Sequence, residues 1–286
     1  MSELILSIQS HVAYGHVGND AAMFPLQRLG AEVIAIHTVQ FSNHTGYGAW
    51  TGEVFSAASI ADLVRGVEAR GVLGLCDGVI SGYMGSAEIG MAILDAALTV
   101  RSANPGALYC CDPVMGDVGS GVFVRPEIPE MMRTKAMAEA DIVTPNQFEL
   151  CLLTGHEVTD HASLIHAVQA LHALGPKIIM VTSVMTNETP DDAIDCIASD
   201  GTKMVIVRTP RLSLAVNGAG DAISALFFLH WLRDHSVSNA LAQAVSSIYG
   251  ILKRTEDEGS REILLIPAQE ELVHPTHKFK AEPFAS

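Results

Sequence analysis

Short apolar runs alternate along the chain with longer stretches in which apolar positions recur every three or four residues. Leu4–Ile8, Val33–Thr38, Gly78–Ser81, Leu108–Asp112, Ile142–Thr144 and Ile178–Thr182 are apolar on both faces, as strands buried inside a parallel sheet must be. Between them Asp20–Leu29, Ile60–Ala69, Ala87–Val100, Glu130–Ala138 and Leu164–Leu174 carry helical periodicity. Strand–helix alternation of this kind implies right-handed βαβ units and a mostly parallel central sheet covered by helices on both faces. The pattern changes once. Ala193–Ala198 and Met204–Arg208 flank Asp200-Gly201, a turn pair that predicts an antiparallel hairpin at the sheet edge. Two helices are expected after it, over Gly220–Arg233 and Asn239–Arg254, and the last dozen residues, with Pro275 and Pro283, read as a loose tail. No repeat or low-complexity segment interrupts residues 1–286, which are expected to form a single domain.

In open α/β sheets ligands bind beyond the C-terminal ends of the strands. Ser10, Asn43-His44-Thr45, Asp112, Thr144-Pro145-Asn146 and Thr182-Ser183 all fall at such ends. Their convergence from distant segments is the first argument for a site.

Composition narrows the class. Apolar residues make up 49% of the 286 and charged residues 17%, enough for one large core with apolar surface left over for a subunit interface. A formal charge of −15 argues against nucleic acid and acidic membranes as partners. No apolar run approaches the roughly 18 residues of a membrane span, and no signal-peptide pattern opens the chain. The five cysteines, Cys76, Cys110, Cys111, Cys151 and Cys196, form no even framework. They are expected to be reduced and buried, as in a cytoplasmic protein.

The strongest local chemical signal is Asn217-Gly218-Ala219-Gly220-Asp221 before an apolar helix. Two glycines let the backbone turn tightly against a ligand, and the helix start aims free N–H groups at an anion. A carboxylate in that first turn, Asp221, can take a proton from an attacking hydroxyl, or it can simply cap the helix. Asp112-Pro113-Val114-Met115-Gly116-Asp117 follows a buried strand. Its two carboxylates can orient a magnesium ion near phosphates or close a strand-end turn. In Thr144-Pro145-Asn146-Gln147-Phe148-Glu149, Asn146 and Glu149 have the spacing of a helix capping box. Other signatures are missing. Ser10 to Asn19 has glycines but neither the Gly-x-Gly-x-x-Gly spacing nor the lysine of a P-loop. The twelve histidines show no zinc spacing, and there is no nucleophile elbow. Phe41 to Gly48 is polar, aromatic and glycine-bearing, which fits a substrate loop.

Six ordered motifs together resemble the pyridoxal kinases of the ribokinase-like superfamily, over about Leu4 to Arg254. They are Ile8-Gln9-Ser10-His11-Val12 with Tyr14-Gly15-His16, Val39 to Thr45, Ser81-Gly82-Tyr83-Met84-Gly85-Ser86, Cys111 to Asp117, Thr144 to Glu149, and the Gly-x-Gly-Asp turn. The resemblance implies a three-layer α/β/α sandwich, ATP as phosphoryl donor, Mg²⁺, K⁺ and a homodimer. It assigns Ser10 and Thr45 to the pyridoxal ring, with His44, Gly46 and Tyr83 lining the same pocket. Asp112, Asp117, Asn146, Glu149, Thr182 and Ser183 match nucleotide positions, and Asp112, Asp117, Thr144 and Glu149 match cation positions. Gly218, Ala219 and Gly220 match the phosphate turn, and Asp221 matches both base and substrate contact. A mobile loop over ATP would be Asp117–Arg125.

Two positions depart from the family pattern. Ala219 stands where the family usually has Thr, and Thr182 where some bacterial members have Lys. The loop also lacks the Cys that some members carry. The reaction so implied is transfer of the γ-phosphoryl group of MgATP to the 5′-hydroxymethyl group of pyridoxal. The rivals are a hydroxymethylpyrimidine kinase of the same superfamily and a B6-vitamer binding protein of low turnover.

Overall fold

The computed structural model describes residues 2–284. The chain runs β1 (Leu4–Tyr14), α1 (Asn19–Arg28), β2 (Glu32–Asn43), a 3-10 turn (Thr45–Tyr47), β3 (Gly52–Val54), α2 (Ala57–Glu68), β4 (Gly78–Ser81), α3 (Ala87–Ala103) and β5 (Leu108–Cys111). A small hairpin of β6 (Gly116–Asp117) and β7 (Gly121–Val122) comes next. Then follow α4 (Ile128–Met131), a π turn (Met132–Ala136), α5 (Met137–Glu139), β8 (Ile142–Val143), α6 (Gln147–Thr154), α7 (His161–Ala173) and β9 (Ile178–Val184). The chain ends through β10 (Ala193–Ser199), β11 (Met204–Pro210), α8 (Ala219–Asp234), α9 (Val237–Asp257), α10 (Glu270–Val273) and β12 (Glu282–Pro283).

Ten strands form one sheet in the order β12-β11-β10-β9-β8-β5-β4-β1-β2-β3. β2, β1, β4, β5, β8 and β9 are mutually parallel. β3 on one side and β10, β11 and β12 on the other run antiparallel to their neighbours. One apolar cluster packs α2, α3 and α7 on one face, and a second packs α1, α8 and α9 on the other. The result is the three-layer α/β/α sandwich, with the antiparallel hairpin at the predicted end. The hairpin closes through Asp200, whose Oδ1 accepts the N–H groups of Thr202 and Lys203 at 3.0 and 2.9 Å. The chain leaves β1 for β2 in one direction and later adds β4 and β5 in the other. The strand order therefore reverses between β1 and β4, where α/β sheets open their ligand crevice.

β4 shows why the central strands read as unbroken apolar runs: all four of its residues are buried. A Cβ on Gly78 would meet the Phe228 ring at 2.3 Å, so α8 packs directly on the strand backbone.

Three expectations need correction. β1 does not stop at Ile8 but runs to Tyr14, with a register shift against β2 between Gln9 and His11. Ser10 thus lies within a strand, opposite the extra residue that β2 carries at Thr38–Val39. Thr182 and Ser183 likewise lie inside β9, which runs to Val184. The tail is docked: Val205 and Ile206 pair with Pro283 and Glu282, and the Phe284 N–H reaches Met204 O at 2.9 Å. Phe279 meets the Tyr249 ring edge-on at 4.9 Å. Polar and proline-marked sequence hid this, because the pairing supplies backbone bonds rather than an apolar run. Of the cysteines, all free, Cys76, Cys110 and Cys111 are buried, but Cys151 and Cys196 are only partly so.

Candidate active site

The site forms around the start of α8. Gly218 is the N-cap of that helix, at φ 86°, a left-handed conformation that a side chain resists. Space forbids one as well, since a Cβ there would stand 1.8 Å from the carbonyl oxygen of His16. The turn is thereby seated on the loop between β1 and α1. Gly220 has nothing within 4 Å of where its Cβ would be and is exposed. One glycine is needed for packing and the other leaves open space above the helix N–H groups. That is the arrangement an anion requires.

Asp221 follows in the first turn. It is half-buried by exposed area, yet its carboxyl sits deep enough among protein atoms for desolvation to raise it above the ordinary carboxylate range. The Gly18 N–H, its own N–H and the nearby Asp20 charge act in addition, the amides lowering it and Asp20 raising it. Gly18 also touches the acceptor side. A Cβ on it would lie 2.3 Å from both the carbonyl and the hydroxyl oxygen of Ser10. Ser10, Gly18 and Asp221 therefore meet in one place.

The expected substrate loop flanks this point. His44 caps the 3-10 turn, its Nδ1 accepting the Gly46 N–H at 3.1 Å, and burial lowers its basicity. A Cβ on Gly46 would come 4.0 Å from the Asn217 amide nitrogen, so the loop carrying Thr45 abuts the phosphate turn. Tyr83 packs on Val12, Val17, Val39 and Phe41, and its carbonyl accepts from the Thr38 hydroxyl at 2.7 Å.

The nucleotide and cation candidates gather at the ends of β5 and β8. Asp112 is buried beside Ser224 and Thr144, whose hydroxyls hydrogen-bond each other at 2.8 Å. Burial first, then the Glu149 and Asp221 charges, holds Asp112 well above the usual carboxylate range. Glu149 accepts the Met115 N–H at 2.8 Å and the Asn146 N–H at 3.0 Å, and burial pushes it up to about 7. Asn146 caps α6 and closes the capping box with Glu149. Its Nδ2 also donates to Gly116 O at 2.9 Å, which ties α6 to the β6–β7 hairpin. Thr182 binds the same corner through its N–H to Pro145 O at 3.0 Å.

Not every candidate joins this group. Asp117 is exposed, and its Oδ1 accepts the N–H of its own neighbour Val118 at 2.6 Å. It reaches Glu149 only as a charge. Ser183 is exposed and held at φ 55°, a strained value for a non-glycine residue. The segment Asp117–Arg125, read as a hinged loop, begins as a β-hairpin that holds Val118 and Phe123 out in solvent, 71% and 52% exposed.

Among the described residues no three His, Cys, Asp or Glu side chains converge as a metal cage. The donor set nevertheless fits a hard cation. Asp112 and Glu149 are buried oxygen ligands, and no lysine or arginine ion pair neutralises either among the described residues. Mg²⁺ characteristically takes one or two carboxylates, with phosphate and water completing its shell.

Sequence reasoning missed Ser224, Gly18, Asp20 and Glu262. A lone polar position one turn after Asp221 was the available signal for Ser224. Gly18 lay within a quoted motif but carried no chemistry of its own. Glu262 hydrogen-bonds the Tyr47 hydroxyl, and the Arg261 guanidinium sits 3.9 Å over the Tyr47 ring. Only folding brings those residues to the substrate loop.

Comparison with known proteins agrees with this geometry. Residues 36–263 match the family model described as phosphomethylpyrimidine kinase, which sets the class as a small-molecule kinase. Pyridoxal kinase PdxY of Granulibacter bethesdensis is 55% identical over 97% of this chain and 99% of its own length. The enzyme of the same name from Deinococcus radiodurans is 54% identical over 97% and 95%. Pyridoxal kinase of Leishmania donovani, solved in complex with ADP and pyridoxamine, superposes with TM-score 0.91 at 29% identity over 99% of both chains. The chain belongs to the pyridoxal kinase family.

Proposed function

We propose that the chain transfers the γ-phosphoryl group of ATP to the 5′-hydroxymethyl group of pyridoxal, giving pyridoxal 5′-phosphate and ADP. One observation carries the reading. Asp221 stands in the first turn of α8, directly after the Gly218–Gly220 turn and against Gly18 and Ser10. A hydroxyl held at Ser10 lies on the side where its proton must leave. Asp221 takes that proton, and its raised basicity favours the transfer. The new oxygen–phosphorus bond forms as the bond to the ADP oxygen breaks, in line, while the helix-start amides donate hydrogen bonds to the charged equatorial oxygens. Thr45, His44, Gly46 and Tyr83 line the ring pocket, and Asn146, Thr182 and Ser183 flank the nucleotide.

Asp112 and Glu149 would hold Mg²⁺, which when bound offsets charge on the phosphates. K⁺ would bind near Asp117, Thr144 and Glu149, so turnover should be higher in potassium than in sodium-only buffer, and equal rates in both would remove that site. Residues 1–286 would act as one cytoplasmic kinase domain within a homodimer. No described helix is long and apolar enough to cross a membrane.

The test is ADP release with pyridoxal, pyridoxine, pyridoxamine and hydroxymethylpyrimidine in turn. Pyridoxal-dependent turnover that EDTA abolishes is the expected result. Turnover with the pyrimidine alone would make the chain a pyrimidine kinase, and tight vitamer binding without ADP release would make it a binding protein.

A further inference from the structure

The stretch of β1 just past Ser10, facing the β2 bulge, has a fastening that the reaction as described does not use. Asp20, the second residue of α1, accepts the Val12 N–H at 2.9 Å through Oδ2, and its Oδ1 lies 3.1 Å from His11 Nε2. These two partners follow Ser10 immediately, on the stretch where the strand register shifts. Beneath Asp20, Asn19 is fully buried. Its amide reaches Ile36 O at 3.0 Å and His37 Nδ1 at 2.9 Å, and its oxygen accepts the Ser7 hydroxyl at 2.7 Å. The His37 ring in turn stacks on His11 at 4.2 Å between centroids. The start of α1 is thus bolted to β1 and β2 at two depths: Asn19 in the core, and Asp20 at the rim beside the site. Gly18 lies immediately before both, pressed on Ser10 and near the Asp221 carboxylate.

We propose that Asp20 is a positioning residue for the acceptor side of the site, a clamp from α1 to the β1 stretch just past Ser10 that holds Ser10 and Gly18 against Asp221. The inference rests on the kinase reading for its catalytic consequence and on the hydrogen bonds alone for its structural one. Asn19 fixes the fold of this corner. Asp20 sets where the substrate hydroxyl meets the base, because it bonds only the residues just past Ser10. Its action should therefore fall on pyridoxal and leave ATP, bound across the site at Asp112 and Asn146, untouched.

The experiment compares the full-length chain with Asp20→Ala and Asp20→Asn, measuring steady-state kinetics for both substrates and amide hydrogen exchange over residues 9–18. Misplacement of a reacting group by an ångström costs up to about 100-fold. Asp20→Ala should accordingly lose about 10- to 100-fold in kcat/KM for pyridoxal, with KM for ATP within about twofold, and should exchange faster around Val12. Asp20→Asn keeps an acceptor for the Val12 N–H and should recover to within about threefold of wild type. Wild-type kinetics in Asp20→Ala, equal losses for ATP and pyridoxal, or unaltered exchange would each overturn the clamp. If Asp20→Ala does not fold, His11→Leu takes its place, since it removes one of the two anchors. A pyridoxal-specific loss supports the clamp, and none overturns it. A wild-type chain that does not phosphorylate pyridoxal would sink the kinase reading, and the exchange measurement would still decide the clamp.

Discussion

Asp221 carries two readings that one atom separates. As a base it must accept a proton, whereas as a helix cap it need only accept a hydrogen bond, and Asn caps about as well as Asp. Asp221→Asn should therefore lower kcat by about 10²–10⁴ with nearly unchanged binding. Turnover within a few-fold of wild type at saturating pyridoxal and ATP would leave Asp221 as a cap alone. The neighbouring Ala219 is the family departure nearest the phosphate. It opens α8 and packs partly on the apolar layer of that helix. On the kinase reading, Ala219→Thr adds a hydroxyl beside the phosphates, and a hydrogen bond to a charged group contributes about 1.5–3 kcal/mol. The Michaelis constant for ATP should fall. An unchanged constant in a folded variant would show that backbone amides already saturate that oxygen. Both positions stood out in the sequence because what is proposed for each depends on a side chain and its immediate neighbours.

The turn before α8 shows that identical residues in one motif do unlike work. Gly218 is closed in by the His16 carbonyl and held at φ 86°, while Gly220 faces open space. Gly218→Ala should lower stability by roughly 1–3 kcal/mol through strain and lose activity with it. Gly220→Ala should melt like wild type yet bind ATP more weakly, since its methyl group intrudes only on a ligand. Thermal melts and ATP titrations of the two variants check this, and two equal melting temperatures would contradict it. The sequence marked both glycines as one anion turn. It could not sort them, because the atom that decides belongs to residue 16. The same limit applies to β1. Its apolar run ends at Ile8, but pairing with β2 carries it to Tyr14, and tertiary pairing overrides the polar side chains of Gln9, Ser10 and His11. Strands β4, β5 and β8, by contrast, were found within one residue, since burial on both faces leaves them little choice but apolar residues.

The apolar excess of the composition finds a place on the side of the sheet covered by α2 and α3, two helices in contact with each other. Leu63 on α2, Leu75 just before β4, and Met91 and Leu98 on α3 expose apolar side chains there, Leu63 to 52% and Leu98 to 44%. Isolated exposed leucines are ordinary. Four on neighbouring segments are the exposed apolar side chains to which the proposed homodimer interface is assigned, with a second copy of this chain as the partner. Sedimentation at micromolar concentration should show a dimer, and Leu63→Glu with Leu98→Glu should shift it to monomer by burying two like charges against their copies. A wild-type monomer would remove the dimer, and a double variant that stays dimeric would move its interface elsewhere. The site adds a further consequence. Ser10, Gly18, Asp112, Glu149, Gly218 and Asp221 all come from one chain, with Gly18 pressed on Ser10 and the charges of Glu149 and Asp221 acting on Asp112, away from the α2–α3 face. The monomeric double variant should therefore keep kcat within about threefold of wild type, because no catalytic group is lost from the positions that orient the reaction. A collapse of kcat on dissociation, with melting unchanged, would mean that a residue from the second copy completes the site.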